Sequence, residues 1–142
     1  MTDCVMYPRH DLSERTTEGE NMSENTAIAE GYATAWMARD LDAAMAYVAE
    51  DVVLEAPAGR FEGADAYRGF LERFMGLMTS AEITAVYGGA DGAAVHYVTA
   101  TRPVPVSRGS DRLVIRDGLI REAVTIFDRL PFDQATRATD RE

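Results

Sequence analysis

From Asn25 to Gly59 the chain reads NTAIAEGYATAWMARDLDAAMAYVAEDVVLEAPAG, and within this stretch the hydrophobic period changes. Ile28, Tyr32, Ala35 and Trp36 recur at i, i+4, i+7 and i+8, which lays one apolar stripe along a helix. Asp40 suits an N-cap, since its carboxylate can accept from the first free N–H groups of a second helix. Leu41, Ala44, Met45 and Val48 give that helix its own stripe. At Asp51 the period shifts. Val52, Val53 and Leu54 form a short β-favouring run that Pro57 ends. Helix, short helix, strand and Pro-containing turn, in that order, leave few ways to build a domain.

The rest of the chain narrows the choice. Met1 to Glu24 is polar with no sustained period, so it is expected to be a disordered or mobile tail that cannot bury enough apolar surface to offset its ordering. Met22 opens MSENTAIAE, a natural start just ahead of the first helix. Ala58 to Gly63 reads as a turn. Tyr67, Phe70, Leu71, Phe74, Leu77 and Met78 then form the strongest helical pattern in the chain. Ile83 to Tyr87 reads as a strand, followed by the Gly-rich hairpin loop of Gly88 to Gly92.

Ala93 to Thr101 is the next strand. Val95, Tyr97, Thr99 and Thr101 share one face, and Ala94, His96, Val98 and Ala100 the other. Pro103 and Pro105 interrupt the ladder, and Ser107 to Ser110 reads as loop. Arg112 to Ile115 and Leu119 to Phe127 pair across the tight-turn signal Asp117-Gly118. Phe132 closes the domain, and 133–142 is expected to be a polar tail. Helices followed by a run of antiparallel strands give an α+β class.

Charge removes several functions. The net charge is −10, which argues against nucleic acid, whose phosphates need a basic surface, and against an anionic membrane surface. No run is long and apolar enough to span a membrane, and no apolar signal core opens the chain. The single cysteine, Cys4, forms no intrachain disulfide and fits a reducing cytoplasm. The basic residues are all Arg, a bias expected of a GC-rich bacterial genome. His10 and His96 belong to no zinc-binding spacing. There is no phosphate-binding Gly loop and no nucleophile elbow, so no metal or cofactor is expected.

YATAWMARDLDAAMAYVAEDVVLEAPAG resembles the first-helix-to-first-strand signature of the nuclear transport factor 2-like superfamily. DRLVIRDGLIREAVTIFD resembles that superfamily's final hairpin. The resemblance spans residues 25–132 and includes the SnoaL-like polyketide cyclases, the ketosteroid isomerases and the limonene epoxide hydrolases. It implies a cone-shaped, cystatin-like α+β fold, in which a curved sheet wraps helices around an apolar pocket. It also implies a homodimer, and the small apolar side chains of Ala94, Val98 and Ala100 mark the sheet face through which it is expected to form.

The same resemblance nominates residues. The isomerases stabilise an oxyanion with a tyrosine on the first helix and a protonated aspartic acid on the penultimate strand. Tyr32 and Asp111 fall at those positions. Their base lies just before the proline that ends the first strand. Here that residue is Ala56, which cannot shuttle a proton, and Glu55 beside it points to the opposite face by period 2. The epoxide hydrolases place an aspartate on the last strand, where this chain has Thr125, and their Arg-x-Asp has no counterpart in His96 to Thr99.

The expected site is therefore an apolar pocket for a small hydrophobic molecule. Tyr32 and Asp111 are its oxyanion-stabilising donors, with Trp36, Leu54, Ala56, Phe74, Tyr97, Thr99, Thr125 and Phe127 as its wall. The expected function is a cofactor-independent enzyme of isomerase or cyclase type. The alternatives are a non-catalytic ligand-binding or dimerisation module on the same fold, or an epoxide hydrolase with non-standard residues. In a binding module, Tyr32 would be a core tyrosine and Asp111 a solvated hairpin residue.

Overall fold

The computed structural model describes residues 9–141, with side chains over 19–137. Its centre is the packing of α1 (Arg9–Met37) and α3 (Ala64–Leu77) against one face of a six-stranded sheet. Ala29, Tyr32, Ala33 and Trp36 are the buried side of α1; of the expected stripe Tyr32 and Trp36 are fully buried, and Ile28 and Ala35 pack half-buried beside them. The helix ends where Arg39 turns left-handed at φ 63°. Asp40 N–H then donates to Ala35 C=O and Arg39 N–H to Trp36 C=O, which satisfies the last carbonyls in a Schellman arrangement. Asp40 caps α2 (Leu41–Met45) by accepting from Ala43 N–H at 3.1 Å.

The sheet has the order β2-β1-β6-β5-β4-β3. Its strands are β1 (Val48–Ala56), β2 (Gly59–Glu62), β3 (Met78–Gly88), β4 (Gly92–Thr101), β5 (Ser107–Arg116) and β6 (Leu119–Phe127). Every pairing is antiparallel except that of β1 with β6. Asp117 and Gly118 join β5 to β6 with both φ angles positive, 54° and 76°, the backbone a two-residue hairpin turn needs.

Several boundaries differ from the sequence reading. Val48 belongs to β1, where it pairs with Ile120, because α2 closes after little more than one turn. Residues 59–62 are a strand paired with β1 and not a plain turn. Met78 has extended backbone and starts β3, so the α3 stripe stops at Leu77. Ser107 to Ser110 is strand, held by β4 on one side and, from Gly109, by β6 on the other.

The polar ends also form helix. α1 is continuous from Arg9, and its side chains from Gly19 to Glu24 are exposed. The part of the expected tail before Arg9 lies outside the described residues. Asn25 begins the packed part of the helix, donating to Gly89 C=O at 2.9 Å and Ala90 C=O at 3.2 Å. At the other end, α4 (Leu130–Arg141) replaces the expected polar tail. Phe132 stacks edge-to-face on Phe127, and Arg129 Nη1 donates to Pro57 C=O at 3.0 Å, which docks the start of this helix on the domain.

Candidate active site

Strand register decides which side chains meet. Asp111 on β5 lies directly opposite Thr125 on β6 and opposite Val95 on β4. Tyr97 is two residues beyond Val95 on the same face of β4, so it is the diagonal neighbour of Asp111, within reach of a long side chain. Thr125 Oγ1 donates to Asp111 Oδ1 at 2.8 Å, and Tyr97 Oη donates to the same oxygen at 3.0 Å. Gly109 makes this possible. A Cβ at that position would lie 2.6 Å from Cε1 of the Tyr97 ring, so only a residue without a side chain lets the ring lie across β5.

The helices bring a second polar pair. Tyr32 on α1 and Tyr67 on α3 bond hydroxyl to hydroxyl at 2.6 Å, with their rings edge-to-face at 6.3 Å. Both are buried. In such a pair one hydroxyl donates to the other, and the acceptor keeps its own proton to offer.

These groups face one cavity, an envelope of about 460 Å³ counted with its open mouth and narrow within. Leu54, Phe70, Leu71, Phe74 and Phe127 supply its apolar wall, and Trp36, Thr99 and Ser107 complete the lining. Asp111 is the only carboxyl among the lining residues.

Burial governs the ionisation of this site. Asp111 is 5 % exposed, and burial pushes its carboxyl up to about 6, against the opposing pull of the hydrogen bonds from Thr125 and Tyr97. Roughly nine-tenths of it is then ionised at pH 7. The hydroxyls of Tyr32, Tyr67 and Tyr97 are also pushed up, first by burial and then by neighbouring groups that include the negative charge of Asp111. They stay protonated and so remain neutral hydrogen-bonding groups.

The sequence-derived wall lines the cavity at every position except Ala56, which sits half-buried at the end of β1, where the chain turns away into β2. The two nominated residues line the same cavity with different hydrogen-bond partners. Tyr32 bonds to Tyr67, and Asp111 receives donors from Tyr97 and Thr125. Both of these donors reach the same carboxyl oxygen, Oδ1. Tyr67, Phe70, Leu71 and Ser107 were not nominated. The first three were legible in principle, because Tyr67 and Phe70 share a helical stripe with Phe74, at i, i+3 and i+7. His96, on the outer face, is exposed and stacks edge-to-face with Tyr87.

Residues 29–123 match the description of a SnoaL-like domain. The chain belongs to the SnoaL-like family, within the nuclear transport factor 2-like superfamily. A solved protein from Kribbella flavida is 40% identical, with a TM-score of 0.81, over 84% of this chain and 99% of that one. A second protein from Kribbella flavida, provisionally named a ketosteroid isomerase, is 22% identical, with a TM-score of 0.69, over 76% of this chain and 80% of that one. A Xanthomonas campestris protein, provisionally named a polyketide cyclase, is 25% identical, with a TM-score of 0.63, over 81% and 98%. No curated protein is significantly similar to the chain in sequence. Among the described residues no helix is long and apolar enough to cross a membrane, and no cluster of His, Cys, Asp and Glu is arranged to hold a metal ion.

Proposed function

We propose that this SnoaL-like chain is a cofactor-independent enzyme of isomerase or cyclase type, acting on a small hydrophobic molecule that bears a carbonyl group. The observation that carries this reading is a buried carboxylate, fixed by two hydroxyls on one of its oxygens, in an otherwise apolar cavity shared with a tyrosine pair. Near neutral pH the Asp111 carboxylate takes a proton from the carbon next to the carbonyl. The electron pair of the broken C–H bond moves onto the carbonyl oxygen. A tyrosine hydroxyl of the Tyr32–Tyr67 pair donates to that oxygen as its charge develops. In an isomerisation Asp111 returns the proton to another carbon. In a cyclisation the enolate carbon attacks a second carbonyl of the same molecule, and the new alkoxide takes the proton back.

The position that supplies the base in ketosteroid isomerases is Ala56 here and lies outside the cavity lining, which leaves Asp111 as the lining carboxyl for proton transfer. A ligand-binding module is the second reading, favoured by that same missing base. Deuterium incorporation next to the carbonyl of acetophenone in heavy water separates the two. Exchange that the protein accelerates and Asp111→Asn abolishes is the expected result. Binding without any exchange would remove the enzyme reading and leave the module. The same reading retains a homodimer through the outer sheet face, where Tyr87 and Ile126 are each more than 60% exposed. Sedimentation as a monomer at micromolar concentration would contradict it.

A further inference from the structure

Trp36 Nε1 is the one fully buried side-chain polar atom among the described residues that has no hydrogen-bond partner. Buried indole N–H groups ordinarily find an acceptor, because a donor stripped of water and left unmet is costly. The side chain is 2 % exposed and lines the cavity. It is not free to swing toward an acceptor elsewhere. Phe74 and Tyr97 flank the indole in edge-to-face contacts, with centroids 5.9 Å and 5.2 Å away. Tyr97 has already turned its hydroxyl to Asp111.

The position of Trp36 relative to the proton-transfer groups follows from α1. Trp36 is four residues beyond Tyr32, on the same face and about 6 Å further along the helix axis. Polar groups of cavity-lining residues therefore lie at two places along α1. One is the tyrosine pair with Asp111, and the other is the unmet indole N–H. Apolar side chains from β1 and α3, among them Leu54, Phe70 and Leu71, supply much of the remaining wall.

We infer that the Trp36 N–H is a second recognition point, so that the cavity is built for an apolar ring bearing two oxygen acceptors, a hydroxyketone or diketone. This rests on the reading that the cavity takes a small carbonyl compound. One oxygen sits at the Tyr32–Tyr67 pair, where the chemistry occurs. The other accepts from Trp36 and fixes which end of the molecule enters first. A simple monoketone fills the first place and leaves the indole unmet, so it binds less tightly and in less defined register.

Trp36 is the only tryptophan in the chain, so protein labelled with nitrogen-15 gives one indole N–H signal. That signal is followed while ethylbenzene, acetophenone and 4-hydroxyacetophenone are titrated in turn. With 4-hydroxyacetophenone the indole proton is expected to move downfield of its position with the other two. Trp36→Phe is expected to weaken 4-hydroxyacetophenone about three- to tenfold more than it weakens ethylbenzene, the effect of one lost neutral hydrogen bond. If 4-hydroxyacetophenone binds with the indole signal where ethylbenzene puts it, the inference fails while the cavity reading stands. The same holds if acetophenone alone produces the full shift, or if Trp36→Phe weakens all three ligands equally. Binding by none of the three would overturn the cavity reading and this inference together. The signal is read on the unsubstituted protein, so the test does not depend on the variant folding.

Discussion

The two faces of the sheet use similar side chains to opposite effect. On the outer face Arg60 pairs with Glu55 and Glu62, and Arg121 with Asp51, and every carboxylate in these pairs is more than half exposed. Water already solvates both partners there, so such pairs add little to stability. On the inner face, two strands away from β1, a carboxylate sits among neutral hydroxyls at the wall of an apolar cavity. Removal from water raises its pKa toward the working range of a general base. Residue type is common to both faces, and burial separates a solvated surface from a cavity wall with a shifted carboxyl.

Asp111→Asn tests this contrast with the largest effect. If Asp111 is the base, exchange next to a bound carbonyl falls by about 10²–10⁴. The same substitution has a stability signature. The folded carboxyl titrates at about 6, above its ordinary 3.8, so its favourable contribution is full below pH 3.8 and is lost as pH rises through 6. The asparagine variant is therefore expected to gain on the parent between pH 4 and pH 8, by up to about 3 kcal/mol in urea denaturation. A difference between the two proteins that ignores pH would break the comparison.

Gly109→Ala comes next. Its new Cβ meets the Tyr97 ring and forces it off Asp111, at an expected cost of about 1–3 kcal/mol. A crystal structure of the variant with Tyr97 still bonded to Asp111 would show that β5 has more room than its register implies. Tyr32→Phe should cost about 1–2 kcal/mol, because it leaves the buried Tyr67 hydroxyl without its partner. Exchange should drop only about tenfold, since Tyr67 survives as a donor. The smallest effect belongs to the outer face. Arg60→Ala should leave both the melting temperature and exchange where they were, and a clear loss of either would assign that face a role beyond solvation.

The sequence was most legible where local signals and tertiary packing agree. The α1 stripe, the Asp40 cap, the alternation along β4 and the Asp117-Gly118 turn each follow from a pattern a few residues long. It was least legible where neighbours decide. Ser107 to Ser110 has the composition of a loop, yet pairing to β4 and β6 makes it strand. The wall of the site was readable from period and resemblance. Its wiring was not, because which hydroxyls reach Asp111 depends on a diagonal contact between strands and on the gap at Gly109. The Tyr67 hydroxyl went unnominated for a similar reason. Its stripe said that it was inward, but only the packing of α3 beside α1 brings it to Tyr32.

The parallel pairing of β1 with β6 bears on the order in which the molecule assembles. Val53 aligns with Glu122 and Leu54 with Ala123, so the first strand finds its central neighbour only after nearly the whole domain has been made. Such a contact closes a long loop before any energy returns, which slows folding. During synthesis β1 waits with β2 as its only strand neighbour, and the cavity lacks the wall that carries Thr125 and Phe127. A nascent chain stalled before β6 would therefore hold the tyrosines of both helices and the carboxylate of β5 without a closed chamber around them. These groups come to share one closed cavity only when β6 enters between β1 and β5.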